Sequence, residues 1–168
     1  MKLKYILLLF LLLPTLSACD QTDDVLDIFT GKTWKLTNIF DSKGRVCIDD
    51  YFIGVSEKVK EESIKLWDKK DNFTLGFTGV EADGKAKGEY IGRGAHTTFS
   101  GKWEADGKSN AFSTNQGDPS GSEDLLAKVF INAIKNAYKY QGDTNGNLTI
   151  YFKEEKSNKD KYLLLYAN

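Results

Sequence analysis

Histidine, cysteine and methionine are nearly missing from this 168-residue chain: one His, two Cys and one Met, with only two Pro. Zinc sites are usually assembled from several His and Cys side chains, so no metal centre is expected. One imidazole also leaves little for His-based catalysis, and the sequence contains no nucleophile-elbow motif to accompany it. Excess positive charge is absent too. Lys and Arg total 23 against 24 Asp and Glu, a net charge of −1, whereas binding a nucleic-acid backbone requires a basic surface. No apolar run approaches the roughly 20 residues of a membrane-spanning helix. What remains is 40% apolar residues with 12% aromatics, enough for one domain with a real core and against a wholly disordered chain.

The N-terminus reads as an export address. Lys2 and Lys4 supply a positive start, residues 5–13 form a nine-residue apolar run, and Pro14 breaks it. Leu16-Ser17-Ala18-Cys19 then resembles a bacterial lipobox. That resemblance implies cleavage between Ala18 and Cys19, diacylglycerol on the Cys19 sulfur and acylation of its new amine. Each buried methylene of such chains contributes about 0.8 kcal/mol to membrane affinity. Residues 1–18 are accordingly read as a signal peptide and residues 19–29 as a lipidated Cys with an acidic, flexible tether. The acidic run Asp20–Asp24 resembles the surface-export signal of Bacteroidota lipoproteins, while Asp directly after the Cys resembles an enterobacterial inner-membrane retention signal. The expected location is the bacterial cell envelope, at the outer membrane, on its surface or its periplasmic face.

Residues 30–168 read as one mainly β domain with one packed helix: a small antiparallel barrel or strongly curved sheet of about eight strands. Thr33–Phe40 alternates, with Trp34 and Leu36 on one face. Asp41–Gly44 turns it, and Arg45–Phe52 is its expected partner. Asn72–Gly79 places Phe73, Leu75 and Phe77 together, and Asp83-Gly84 is a hairpin turn returning into Lys85–Ile91. His96–Trp103, Ser109–Thr114, Asn147–Phe152 and Lys161–Tyr166 complete the strands. Glu123–Tyr140 carries a continuous apolar stripe at helical spacing, with Ser122 as its expected N-cap. Ser56–Asp68 is a second, shorter helix. Cys47 has no intramolecular partner once Cys19 is acylated, and reads as a small buried hydrophobe.

From Trp34 to Tyr166 the order of elements resembles the META domain, a lipocalin-like β-fold of bacterial envelope lipoproteins. Gly31, Trp34 and Leu36 match its opening strand; Leu75, Phe77 and Gly88 match the next pair. Phe99, Gly101 and Trp103 keep the second half of its central signature, while Ala95-His96-Thr97 stand where that family has Gly-Cys-Asn. Phe130-Ile131, Ala133-Ile134 and Leu148–Ile150 resemble its helix and penultimate strand. The resemblance implies a lipocalin-like fold and lends no chemistry.

Each candidate site has a structural alternative. Trp67, Trp103 and His96 are the candidate ligand contacts, against core packing for Trp103 and a surface position for His96. Asp143-Thr-Asn-Gly-Asn147 has acidic and amide spacing with Glu154 like a calcium loop, but Leu148 stands where that loop needs Gly. A turn is the better account. Asp49 and Asp50, adjacent in sequence, are not expected to act as a pair. No catalytic, cofactor or metal residue is assigned. The expectation is a lipid-anchored, non-enzymatic module that binds a small ligand or an envelope protein. A structural or envelope-stress scaffold is the alternative, and a hydrolase using His96 a remote one.

Overall fold

Alternating apolar and polar side chains build eight strands: β1 Thr33–Asp41, β2 Thr74–Ala82, β3 Lys85–Arg93, β4 Thr98–Ala105, β5 Phe112–Gln116, β6 Ala137–Gly142, β7 Asn147–Lys153 and β8 Asp160–Ala167. The computed structural model describes residues 21–117, 119, 121–155 and 157–168. Residues 1–18, read as a signal peptide, and Cys19, read as the lipidated residue, therefore lie outside the described residues. All strand pairs are antiparallel, in one sheet of order β5-β4-β3-β2-β1-β8-β7-β6. The sheet curls until its two edges touch. Ala111 bridges Lys139, and the Tyr140 N–H donates to the Asn110 carbonyl at 3.0 Å. The mainly β, strongly curved architecture read from the sequence is the one observed.

A bulge shapes β1. Leu36 pairs with Leu165 and Asn38 with Leu164, leaving Thr37 as the extra residue. The inward-facing set therefore runs Trp34, Leu36, then Ile39, all fully buried. Asp83 and Gly84 both have positive φ, 56° and 72°, as a two-residue primed hairpin turn requires.

Among the described residues three α-helices accompany the sheet: α1 Gln21–Phe29, α2 Glu57–Trp67 and α3 Leu125–Lys135. Helix α1 corrects the tether reading. Its last turns are packed, with Val25 and Phe29 buried and Leu26 and Ile28 against the core. Phe29 enters the sheet's interior, where its ring meets Trp103 at 4.8 Å, Phe77 and Tyr140 at 5.0 Å and Phe112 at 5.3 Å. The Trp34 indole donates to the Phe29 carbonyl at 3.0 Å and secures the helix end. Helix α2 lies where the sequence placed it. The Lys35 ammonium meets its end, donating to the backbone oxygen of Trp67, the last helical residue, at 2.6 Å and to those of Lys69 and Asn72 in the following turn at 3.1 and 2.7 Å.

Helix α3 is shorter than the apolar stripe implied. Asp124, not Ser122, is its N-cap, accepting from the N–H groups of Leu126 and Ala127 at 2.9 and 3.2 Å. It stops at Asn136, and residues 137–140 of the expected helix belong to β6 instead. Tyr140 is buried against Phe29, an inward position that a strand supplies. Arg45–Phe52 is not the expected partner strand of β1 either. After a single bridge between Phe40 and Val46, Ile48–Phe52 winds into a 3₁₀ helix.

Two poles follow from these contacts. Phe77, Trp103, Phe112 and Tyr140 mark the α1 pole through Phe29, and with it lie the strand turns at 83–84, 106–111 and 143–146. Phe73 and Phe99 mark the α3 pole through Phe130, together with residues 42–73, the loop 94–97 and the loop after β7.

Candidate functional site

The α3 pole gathers partly buried ionisable groups beside a groove, the usual setting of a functional site. Tyr51 comes from the 3₁₀ helix, Glu154 follows β7 directly, and Lys161 is the second residue of β8. Lys161 is only 8% exposed. Its ammonium donates to the Tyr51 hydroxyl oxygen at 3.0 Å and to Glu154 Oε1 at 2.5 Å, and lies 4.4 Å from the centre of the Tyr51 ring. Glu154 also accepts from the Ser157 hydroxyl.

Burial and pairing oppose one another in this cluster. Burial pulls the Lys161 ammonium down, but the Glu154 and Tyr51 oxygens outweigh it and hold its pKa above the ordinary value. Burial pushes the Glu154 carboxyl up, and bonds from Lys161 and Ser157 reverse that, leaving it below its ordinary range. For Tyr51 burial wins over Lys161, and the phenol is pushed up to about 12. The cluster is therefore ionised as Lys⁺ and Glu⁻ beside a neutral Tyr at neutral pH.

Tyr51 and Glu154 separate two surface depressions. On one side a slot of about 440 Å³ runs beneath α3, floored by Leu125, Val129, Ala133 and Phe152 and edged by Asn132 and Lys153. On the other a polar basin of about 1010 Å³ is lined by Asp41, Arg45, Asp50, Lys159 and Lys161. Arg45 is engaged there, bidentate to Asp50 at 2.7 and 3.1 Å and paired to Asp41 at 3.1 Å. Asp49 turns away to Lys60 at 2.8 Å, so Asp49 and Asp50 take separate partners as expected, from a 3₁₀ helix and not a strand. The arrangement offers an apolar floor with a charged edge.

The three ligand-contact candidates are not brought together. Trp103 is in the core at 2% exposure, its indole donating to the Thr78 carbonyl at 3.0 Å. Trp67 is partly buried and donates to the Leu36 carbonyl at 3.1 Å. His96 is exposed on the loop between β3 and β4. That loop is clamped by Glu123, whose carboxylate accepts from the His96, Thr97 and Asp124 N–H groups at 2.9, 3.0 and 2.8 Å and from the Thr97 hydroxyl at 2.8 Å. Burial raises the Glu123 carboxyl, but these donors prevail and keep it below the ordinary range.

Asp143 serves a turn, accepting from the Asn147 N–H at 3.1 Å and its amide nitrogen at 2.8 Å. Glu154 lies beyond the far end of β7, so the calcium-loop spacing does not close in space. Among the described residues, no three His, Cys, Asp or Glu side chains stand close enough to hold a metal ion. Cys47 is buried as the sequence implied, its thiol donating to the Ile39 carbonyl at 3.5 Å and pushed up by burial. Among the described residues, no helix is long and apolar enough to cross a membrane.

Sequence reasoning missed the Tyr51–Glu154–Lys161 cluster. Its members are separated by up to 110 positions, and no local spacing announces such a contact. A lone Lys at the start of an otherwise apolar strand was the only available signal.

Comparison with known proteins agrees with this architecture. No curated protein matches the chain. The crystal structure of a DUF4847 family protein from Bacteroides vulgatus matches with a TM-score of 0.59 at 24% identity, covering 86% of this chain and 97% of that one, which shows a common fold. A family model described as a domain of unknown function, DUF4847, matches residues 20–167. With nearly the whole β domain and α1 inside that match, the chain belongs to the DUF4847 family.

Proposed function

We propose that the chain is a lipid-anchored, non-enzymatic interaction module of the bacterial cell envelope, held at the outer membrane by acylated Cys19 and engaging an envelope protein through the slot beside α3. The anchor is supported by Lys2, Lys4, the apolar run to Leu13, Pro14 and the lipobox-like Leu16–Cys19. The acidic run after Cys19 and the META-like motifs around Trp34, Phe77 and Trp103 support an envelope setting. A non-enzymatic role is supported by His96, which stands exposed on a loop where the buried Glu123 carboxylate bonds backbone N–H groups.

The filled interior carries the choice of a protein partner over a small ligand. A lipocalin-like binder needs an apolar cavity reachable from solvent. Here Phe29 occupies the space between Phe77, Trp103, Phe112 and Tyr140, and Trp34, Leu36, Leu148 and Leu165 are fully buried around it. Binding then falls to the outside, where an apolar floor with a polar rim suits one anchoring side chain of a peptide segment. Native mass spectrometry of the full chain purified from its own host tests this. The expected species is a complex with a second protein that is lost on Val129→Glu. A retained small molecule, or a complex indifferent to Val129→Glu, overturns the reading.

A further inference from the structure

The docked helix α1 determines how an anchored domain can stand on a membrane. Only Asp20 separates Cys19 from Gln21, the first residue of α1. Two residues reach at most about 7 Å. A flexible tether spanning residues 19–29 would instead have a root-mean-square reach of roughly 18 Å and let the domain tumble. That freedom is removed at α1. Val25 and Phe29 are buried, the Thr30 N–H and hydroxyl both donate to the Leu26 carbonyl at 2.8 Å, and Thr30 bridges Phe77 of β2. Ile28 packs so tightly on β6 that a Cβ at Gly142 would lie 2.8 Å from it.

We infer that the domain stands on the bilayer on its α1 pole and turns its α3 pole, with the groove beside α3, toward solution. This orientation rests on the anchoring reading above. Strands of eight or nine residues, tilted as in a barrel, put about 20 Å between the poles. The turns at the α1 pole are polar: Asp83-Gly84, Asp106-Gly107-Lys108 and Asp143–Gly146. They suit contact with lipid headgroups and not insertion among acyl chains. Among the exposed apolar side chains, Ile53 at 80% belongs to residues 42–73 at the opposite pole, and Val80 at 66% lies on β2 three residues before the Asp83-Gly84 turn. The bilayer therefore meets polar turns with Val80 beside them, and the groove beside α3 faces outward.

Fluorescence quenching tests the orientation. The full lipidated chain is reconstituted in phosphatidylethanolamine–phosphatidylglycerol vesicles carrying a headgroup spin label. A fluorophore is attached through Asn145→Cys at the α1 pole or His96→Cys at the α3 pole, both exposed sites. Cys47 is buried and the Cys19 sulfur is acylated, so each variant takes one label. Quenching at position 145 is expected to exceed that at position 96 several-fold. A long Gly-Ser insertion between Asp20 and Gln21 is expected to abolish the difference. Equal or reversed quenching on chains that float with the vesicles, or a difference that survives the insertion, overturns the orientation alone. A chain that fails to float with the vesicles overturns the anchoring reading, and the orientation with it.

Discussion

Replacing Phe29 with Ala removes the ring that closes the α1 pole. A buried Phe side chain takes roughly 150–200 Å² out of water, which at about 25 cal/mol per Å² gives about 4 kcal/mol. The spread seen for buried Phe→Ala changes, about 3–5 kcal/mol, brackets that figure. Four aromatic partners at 4.8–5.3 Å lose contact together, and nine residues are too few to keep α1 helical once it undocks. The chain without its first 18 residues can be unfolded in urea and followed by tryptophan emission. Trp103, stacked on Phe29, and Trp34, bonded to its carbonyl, report on this pole directly. With a slope of about 2 kcal/mol per molar urea, the midpoint should fall by roughly 2 M. Asp24→Ala, at an exposed position on the same helix, should cost less than about 0.5 kcal/mol. A Phe29→Ala midpoint within about 0.5 M of wild type refutes the packed plug, because it leaves only about 1 kcal/mol for a ring the structure buries completely.

The Glu123 carboxyl titrates below its ordinary value of 4.5 in the folded state. The stability it contributes is fully present above that value and is lost as the pH falls through the folded pKa. Glu123→Gln should therefore be less stable than wild type at neutral pH by an amount that shrinks below pH 4.5, read from urea midpoints across pH 7 to 3; a constant difference would contradict this. At the rim, Glu154→Gln strips Lys161 of its counter-charge and should cost about 2 kcal/mol in urea unfolding. Lys153→Met breaks an ion pair whose side chains are 49% and 48% exposed and a cation–π contact with the exposed Tyr138 ring at 5.5 Å, and should cost less than about 1 kcal/mol. Among strand glycines, a Cβ at Gly88 would lie 1.8 Å from the Thr78 carbonyl oxygen, whereas at Gly76 it meets nothing within 4 Å. Thermal melting should show Gly88→Ala losing about 2 kcal/mol or more through overpacking and Gly76→Ala gaining about 0.5 kcal/mol.

Where local pattern and tertiary environment agree, the sequence was readable. Leu75 and Phe77 alternate because β2 has one face in the core, and Asp83-Gly84 turns because both residues take positive φ; Phe73, one residue before β2, is buried from a left-handed backbone (φ 53°) that the alternation did not announce. The apolar stripe of α3 was equally plain, but Ala137 and Tyr138 continued it by accident. From those residues alone, nothing distinguishes another helical turn from the start of β6. Helix α1 was hidden for the opposite reason: Asp23, Asp24 and Asp27 dominate the segment, and its apolar residues, Val25, Leu26, Ile28 and Phe29, fall within little more than one helical turn. Its place is set by a socket of rings drawn from β2, β4, β5 and β6, a tertiary fact. The rim cluster is less legible still, because the 3₁₀ helix that carries Tyr51 to Lys161 leaves no periodic trace.

Lipid on Cys19 is the claim on which the account most depends, and metabolic labelling in the native host tests it directly. Cells fed an alkyne analogue of palmitate should incorporate the label into the wild-type chain, and Cys19→Ala should remove it. A wild-type chain without label, or a Cys19→Ala chain that keeps it, contradicts the account.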